Sequence, residues 1–322
     1  MTSGERFYNF LWNRRWVPRR LLRHLYKRLA RSGVAPDIPF ATDFFGLRYQ
    51  GNLNNNIDFN IYFYGAFEKP LLFFLRDARN RLRVEKPVFV DIGANVGQHS
   101  LFMSAHGMQV HAFEPFARVR EQFMRQVQAN RLDNVRVHPV GLSNENTRSK
   151  FFAPTGTNAG IGSFDANSVD KGNVNIGELQ LARGDDYFPR HGIDRIDLLK
   201  IDVEGYEKRV LEGLRKSLER ERPIIVCEIT LGNSLSFATV EELREYLPSD
   251  YLLFTFARRK ADGSKARRRN ARDRYSGHYR LTPLGRLRSS GQDDIIACPL
   301  EKESLLPQEN LPADRQDRRD AS

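Results

Sequence analysis

The chain is short of cysteine and of long apolar runs, and each shortage closes off a class of protein. It has two cysteines in 322 residues, Cys227 and Cys298, both inside apolar runs. They build no disulfide framework and fit a reducing compartment. No stretch approaches the ~18 apolar residues of a membrane span, and no apolar core follows the basic N-terminus, so neither a spanning helix nor a secretory leader is expected. A glycine is missing at one place too. The turn after the first strong strand reads G-x-x-x-G, with Asn95 in the middle, not the G-x-G-x-x-G that clears room for a pyrophosphate. That speaks against a nicotinamide dehydrogenase. Positive charge is not scarce. The net charge of +11 calls for an acidic partner, whether nucleic acid, anionic membrane or phosphorylated substrate. Hydrophobic residues, at 40%, suffice for a globular core.

The organising stretch is 88–114. An apolar run ends in Asp91, the turn Ile92-Gly93-Ala94-Asn95-Val96-Gly97 follows, then a helical pattern through Met103 and a second strand ending in Glu114. This is the β–loop–α–β unit that starts a doubly wound α/β sheet. Gly93 and Gly97 let the backbone turn sharply and let a ligand approach. The following helix N-terminus suits an anionic group, and Glu114 can accept two hydrogen bonds from a ribose diol. S-adenosylmethionine has a ribose, an adenine and an amino-acid end but no phosphate. Asp91 is expected to pair with its ammonium group, and the loop amides around Ala94 and Asn95 with its carboxylate. The alternative is a glycine turn that merely closes a strand onto a helix.

A second chemical stretch runs from Ile196 to Glu207. A buried strand enters Asp202 and Glu204, then a glycine, then a helix. As strand four it would lie beside strand one, where the sheet order reverses and ligands bind. Asp202 and Glu204 would then face the point of methyl presentation. Glu228 sits on the next strand, and Asp185-Asp186 precede strand four; each reads either as a site residue or as a helix cap or surface acid. The third strand, 135–140, leads into Gly141-Leu142-Ser143 at the height of an adenine. Residues 148–183 read as loop and hairpin, with Asn158 to Ser163 as a flap near the cofactor. Residues 61–83 show an apolar helical pattern, Leu71, Phe74, Leu75 and Leu82, preceded by Tyr64-Gly65-Ala66-Phe67-Glu68, and such a helix would cover the cleft. Glu68, before it, is either a cleft residue or an ordinary helix-start carboxylate.

Two segments are strongly basic. Residues 1–60 form an extension with a cationic amphipathic helix carrying Leu21, Leu22, Leu25 and Leu29. That helix either docks on an anionic membrane surface or packs on the main domain with a solvated face. An insertion at 258–291 holds, over 258–288, 12 Lys or Arg against Asp262 and Asp273. It is expected to be mobile and either holds a phosphate-bearing substrate or nucleic acid or is a solvated loop. Residues 301–322 read as a disordered tail.

Together these residues resemble the FkbM family of S-adenosylmethionine-dependent methyltransferases. The resemblance is carried by Tyr64-Gly65-Ala66-Phe67-Glu68, Val90 to Gly97, Phe113-Glu114-Pro115, Asp185-Asp186, Lys200 to Glu207, Val210-Leu211-Glu212-Gly213 and Glu228, in order over about 61–300. It implies a class I methyltransferase fold, Rossmann-like, with seven strands and the last antiparallel. It also implies methylation of a hydroxyl on a sugar, glycan or similar natural product. Asp202 or Glu204 would be the base. No metal is expected, although Asp185, Asp202, Glu204 and Glu228 are a set that can gather a divalent cation. An RNA methyltransferase is the runner-up, weakened by the lack of an RNA-binding module. A non-catalytic cofactor-binding scaffold is the other, opposed by the intact Asp202 and Glu204. The expected location is cytoplasmic, with the basic head at the inner membrane face if the glycan is lipid-linked.

Overall fold

Apolar residues at successive strand positions need cover on both sides, and the chain supplies two cores. The computed structural model describes residues 2–154, 162–164, 173–231, 236–257, 274–288 and 291–310. In β3 (Val88–Ile92), Phe89 enters one core while Val90 and Ile92 enter the other. Leu198 and Leu199 of β9 (Leu198–Ile201) divide the same way, the mark of strands buried on both faces.

The main sheet has eight strands in the order β12-β11-β13-β10-β9-β3-β4-β5. Here β4 is Gln109–Phe113, β5 Val135–His138, β10 Ile224–Leu231, β11 Tyr251–Phe256, β12 Leu281–Pro283 and β13 Gly291–Pro299. β3 pairs in parallel with β4 on one side and β9 on the other, so the order reverses between β3 and β9. β13 runs antiparallel to both β10 and β11. The expected seven strands are all present. The eighth, β12, comes from within the basic insertion, whose residues 274–288 are ordered, contrary to expectation. Arg274 donates to the carbonyls of Tyr62 (2.9 Å) and Asp43 (3.1 Å), and Tyr279 OH to Asp77 (2.8 Å). Residues 258–273 lie outside the described ones. The tail is likewise ordered as far as 310: a 3-10 helix covers Leu300–Leu305, and Leu281 N donates to the Gln308 carbonyl (2.7 Å).

The helix expected after Tyr64-Gly65-Ala66-Phe67-Glu68 is α4 (Lys69–Arg81), and a further helix, α3 (Asn56–Tyr64), precedes it. They are parted where Gly65 (φ 93°) and Glu68 (φ 46°) turn left-handed and Pro70 starts the second. α5 (Gln98–Ala105) and α6 (Ala117–Ala129) follow β3 and β4. The third strand stops at His138. Gly141–Ser143 (β6) instead joins β7 (Thr147–Pro154) and β8 (Asn173–Arg183) in a separate sheet, the expected hairpin.

The N-terminal 60 residues share a core with the body. Tyr8 of α1 (Ser3–Trp12) meets Tyr26 of α2 (Arg19–Arg31) edge-on at 5.5 Å, and Trp12 lies 4.9 Å from Tyr62 of α3. The boundary expected at residue 60 falls inside α3. β1 (Pro39–Phe44) and β2 (Leu47–Asn52) form the short antiparallel pair expected before it. No described helix is long and apolar enough to cross a membrane.

Because Leu22 is buried in the shared core, Leu22→Ala is expected to lower the unfolding free energy of the whole chain by about 2–5 kcal/mol, read by denaturant titration. An unchanged midpoint would mean that the extension is an independent appendage.

Candidate active site

At the switch point β3 passes Asp91 and turns back at once. Gly93 and Ala94 both donate to the Phe113 carbonyl at 3.0 Å, and Asn95 turns left-handed at φ 54°. Glu114, just past β4, closes the turn from the other side. Its Oε2 accepts from Asn95 N and its Oε1 from Phe116 N, each at 2.8 Å. Each oxygen keeps a further lone pair, and Glu114 lines a cleft together with Ile92, Gly93 and Asn95. Burial pushes the Glu114 carboxyl up to about 7 against those two amide donors. Phe113, Phe116 and Leu142 give the cleft apolar walls, and Gly141 reaches it from β6. A ribose on Glu114 with an adenine against these walls fits the residues present.

The glycines serve the chain's own packing. A Cβ on Gly93 would stand 1.8 Å from the Asp202 carbonyl oxygen, and one on Gly97 2.0 Å from the Phe123 ring of α6. Gly93 and Asn95 line the cleft, whereas Ala94 and Gly97 are not among its lining residues. At Gly97 the ring of Phe123 from α6 occupies the space a side chain would take.

Asp91 is fully buried, receives the Ser100 hydroxyl at 2.7 Å, and lies 3.6 Å from Lys200 Nζ. Lys200, also buried, donates to Asp202 Oδ2 at 3.0 Å. Burial disfavours its charge, but Asp202, Asp91 and Glu68 together raise its pKa. Burial raises Asp91 in spite of Lys200. Both directions favour the proton-bound form, which is the charged form of Lys200 and the neutral form of Asp91. Geometry favours the reading in which Asp202, at the shorter distance, is the main counter-ion of a charged lysine.

Oxygens of Asp202, Glu204 and Glu228 all lie within 4.8 Å of one another. Glu204 sits left-handed at φ 51°, followed by Gly205 at φ 98°. The buried Glu207 carboxylate accepts from Gly205 N at 2.7 Å and fixes that bend. The glutamates on either side of Gly205 thus have separate tasks, one lining the cleft and one shaping the turn. Ser163 Oγ donates to the Glu204 carbonyl (2.9 Å), and Gln292 Nε2 to its carboxylate (3.0 Å). Glu228 lies opposite Asp294 of β13. Burial first, then the charges of Asp202, Asp294, Glu68 and Glu204, push Glu228 well above the ordinary carboxylate range. Glu68 makes no side-chain cap to α4 and sits 3.7 Å from His99 Nε2. Its influence on Glu228 and Lys200 puts it with the acidic group.

Asp185 belongs elsewhere. It accepts from the backbone N of Lys216 (3.0 Å) and Ser217 (2.8 Å), capping α9 (Arg215–Glu221) from a distance. The flap is only partly described. Asn158 lies outside the described residues, while Gly162 and Phe164 flank Ser163 in the cleft wall. Sequence reasoning missed Phe151, Phe164 and Tyr206, whose rings follow one another at 4.9 and 5.4 Å along that wall. It also missed His99, kept neutral by burial and by Lys200. Nothing in their spacing marks them; they converge from separate elements.

A doubly wound sheet reversing at β3/β9, with Glu114 on one lip of the cleft and Asp202 and Glu204 on the other, is the class I methyltransferase fold, which is Rossmann-like. Residues 91–256, just over half the chain, match the family model described as "Methyltransferase FkbM domain". The chain belongs to the FkbM methyltransferase family, and its cofactor is S-adenosylmethionine. It is 31% identical over 157 residues to the 31-O-demethyl-FK506 methyltransferase FkbM of Streptomyces tacrolimicus, covering 39% of this chain and 59% of that one. It is 27% identical over 150 residues to the 2-O-methyltransferase NoeI of Sinorhizobium fredii, covering 42% and 60%. The chain thus spans less than two thirds of these relatives' length. A solved FkbM methyltransferase from Methylobacillus flagellatus aligns with 92% of this chain and 77% of its own, at 15% identity and a TM-score of 0.38, too low to argue from.

With ionised Glu114 as the expected ribose acceptor, affinity for 5′-methylthioadenosine, which has the ribose but no amino-acid end, is expected to rise with pH up to about 7. It should level off above that. Glu114→Gln should bind on the order of tenfold or more weakly and without the pH step, read by calorimetry. A Glu114→Gln protein that keeps the step would remove Glu114 from the ribose site.

Proposed function

We propose that this protein is an O-methyltransferase acting on a hydroxyl of a sugar, glycan or similar polyhydroxylated natural product. The observation that carries this reading is the group of three carboxylates, Asp202, Glu204 and Glu228, beside the cofactor cleft. Carboxylates accept from neighbouring hydroxyls, and a polyol offers several at once. Two relatives, a 31-O-demethyl-FK506 methyltransferase and a 2-O-methyltransferase, add support for oxygen as the acceptor atom.

S-adenosylmethionine supplies, when bound, an electrophilic methyl group on a sulfonium. The chain's task is then placement and proton removal. Asp202, held by Lys200, and Glu228, biased toward its protonated form by burial and the surrounding acids, orient the acceptor. Glu204 would take the proton of the acceptor hydroxyl, and the methyl that passes to that oxygen would leave the sulfonium as a neutral thioether. Orientation of this kind can supply about 7–11 kcal/mol of the barrier, and a positioned base a further ~10²–10⁴-fold. A divalent cation on the same three carboxylates is the competing account of how the hydroxyl is activated.

With glycan and macrolide acceptors as probes, Glu204→Gln is expected to lose ~10²–10⁴-fold in kcat while binding S-adenosylhomocysteine like the parent. Full turnover in Glu204→Gln would remove it from the reaction. Activity abolished by a chelator and restored by Mg²⁺ would replace the proton-acceptor role with metal activation. Methylated RNA in place of methylated polyol would overturn the substrate class.

A further inference from the structure

Apart from the transfer reaction, and not resting on it, the N-terminal helices present a second surface. Residues 1–31 hold nine Lys or Arg against one acid, Glu5, a net of +8 within a chain of net +11. All nine but Arg23 are exposed. Among the described residues nine large apolar side chains are exposed, and four of them fall within residues 7–21: Phe7 (57%), Phe10 (53%), Trp16 (73%) and Leu21 (46%). These are not displaced core residues, because the inner faces of the same helices are already used. Tyr8, Leu11, Leu22 and Tyr26 are buried there. Arg14 stacks over Phe10 at 4.4 Å, so cation and ring stand together at the exposed edge.

Aromatic rings interleaved with arginines are the chemistry of the bilayer interface, where rings enter the headgroup–acyl boundary and guanidinium groups meet lipid phosphates. Single-stranded nucleic acid would use the same charge and rings. It has no use for an exposed aliphatic such as Leu21, whereas acyl chains accept both kinds. We propose that α1, the link through Trp16 and α2 form a docking surface for an anionic lipid bilayer. The surface is joined to the catalytic side. Lys27 of α2 donates to Tyr64 OH at 3.4 Å, and Tyr64 leads through Gly65 to Glu68 at the acidic group.

The test is flotation of the full chain with vesicles of phosphatidylcholine alone or mixed with phosphatidylglycerol, at low and high salt. Binding to the mixed vesicles at low salt is expected, with a blue shift of tryptophan emission that Trp16→Phe removes. The combined variant Phe7→Ser, Phe10→Ser, Trp16→Ser should lose roughly tenfold or more of the partitioning at an unchanged melting temperature. If the parent binds these vesicles without an emission shift, or the combined variant binds as the parent does, charge alone acts and the insertion claim fails. Tighter binding to single-stranded RNA at the same salt, lost in the same variant, would assign the surface to nucleic acid and overturn the proposal.

Discussion

A lysine cut off from water, Lys200, ties the two halves of the sheet together where they part company. It stands 3.6 Å from Asp91 on β3 and 3.0 Å from Asp202 past the end of β9. Breaking a buried ion pair by removing one partner leaves a charge with nothing to balance it, at a cost of about 3–5 kcal/mol. Each member of the trio therefore constrains the other two. Asp91 holds the lysine, and the lysine fixes the carboxylate that faces the cleft.

The catalytic geometry grows from that trio. Because Asp202 is pinned, its carbonyl oxygen stands where a Gly93 side chain would be, and the two loops can only interlock with glycine at that place. The next residues bend left-handed, held by Glu207, and Glu204 is carried toward Glu228. So many acids around one buried cation are electrostatically costly. The chain meets that cost by holding Glu228 toward its neutral form and by donating the Gln292 amide to Glu204.

The sequence was legible where function and local conformation coincide. The strand–turn–helix around Gly93 and Asn95, the strand-end position of Glu114, and the pairing of β9 with β3 all follow from apolar runs that stop at a carboxylate. It was silent where a residue's partner lies far along the chain. Lys200, over a hundred residues on, stands beside Asp91. Lys216 and Ser217 donate to Asp185. Phe123 of α6 stands where a Gly97 side chain would be. The ring wall of Phe151, Phe164 and Tyr206 had no local mark at all, since one residue comes from a hairpin strand, one from the flap and one from a helix start. Conversely, β12 formed inside a stretch so basic that composition alone suggested only mobility.

The claim on which the rest turns is that the sulfur of the cofactor is presented to the Asp202, Glu204 and Glu228 carboxylates. A crystal structure of the complex with S-adenosylhomocysteine tests it most directly. The account expects both ribose hydroxyls on Glu114, adenine against Phe116 and Leu142, and the thioether sulfur turned toward the three acids. A ribose bound elsewhere, or a sulfur facing away from them with α6 or the flap between, would contradict it.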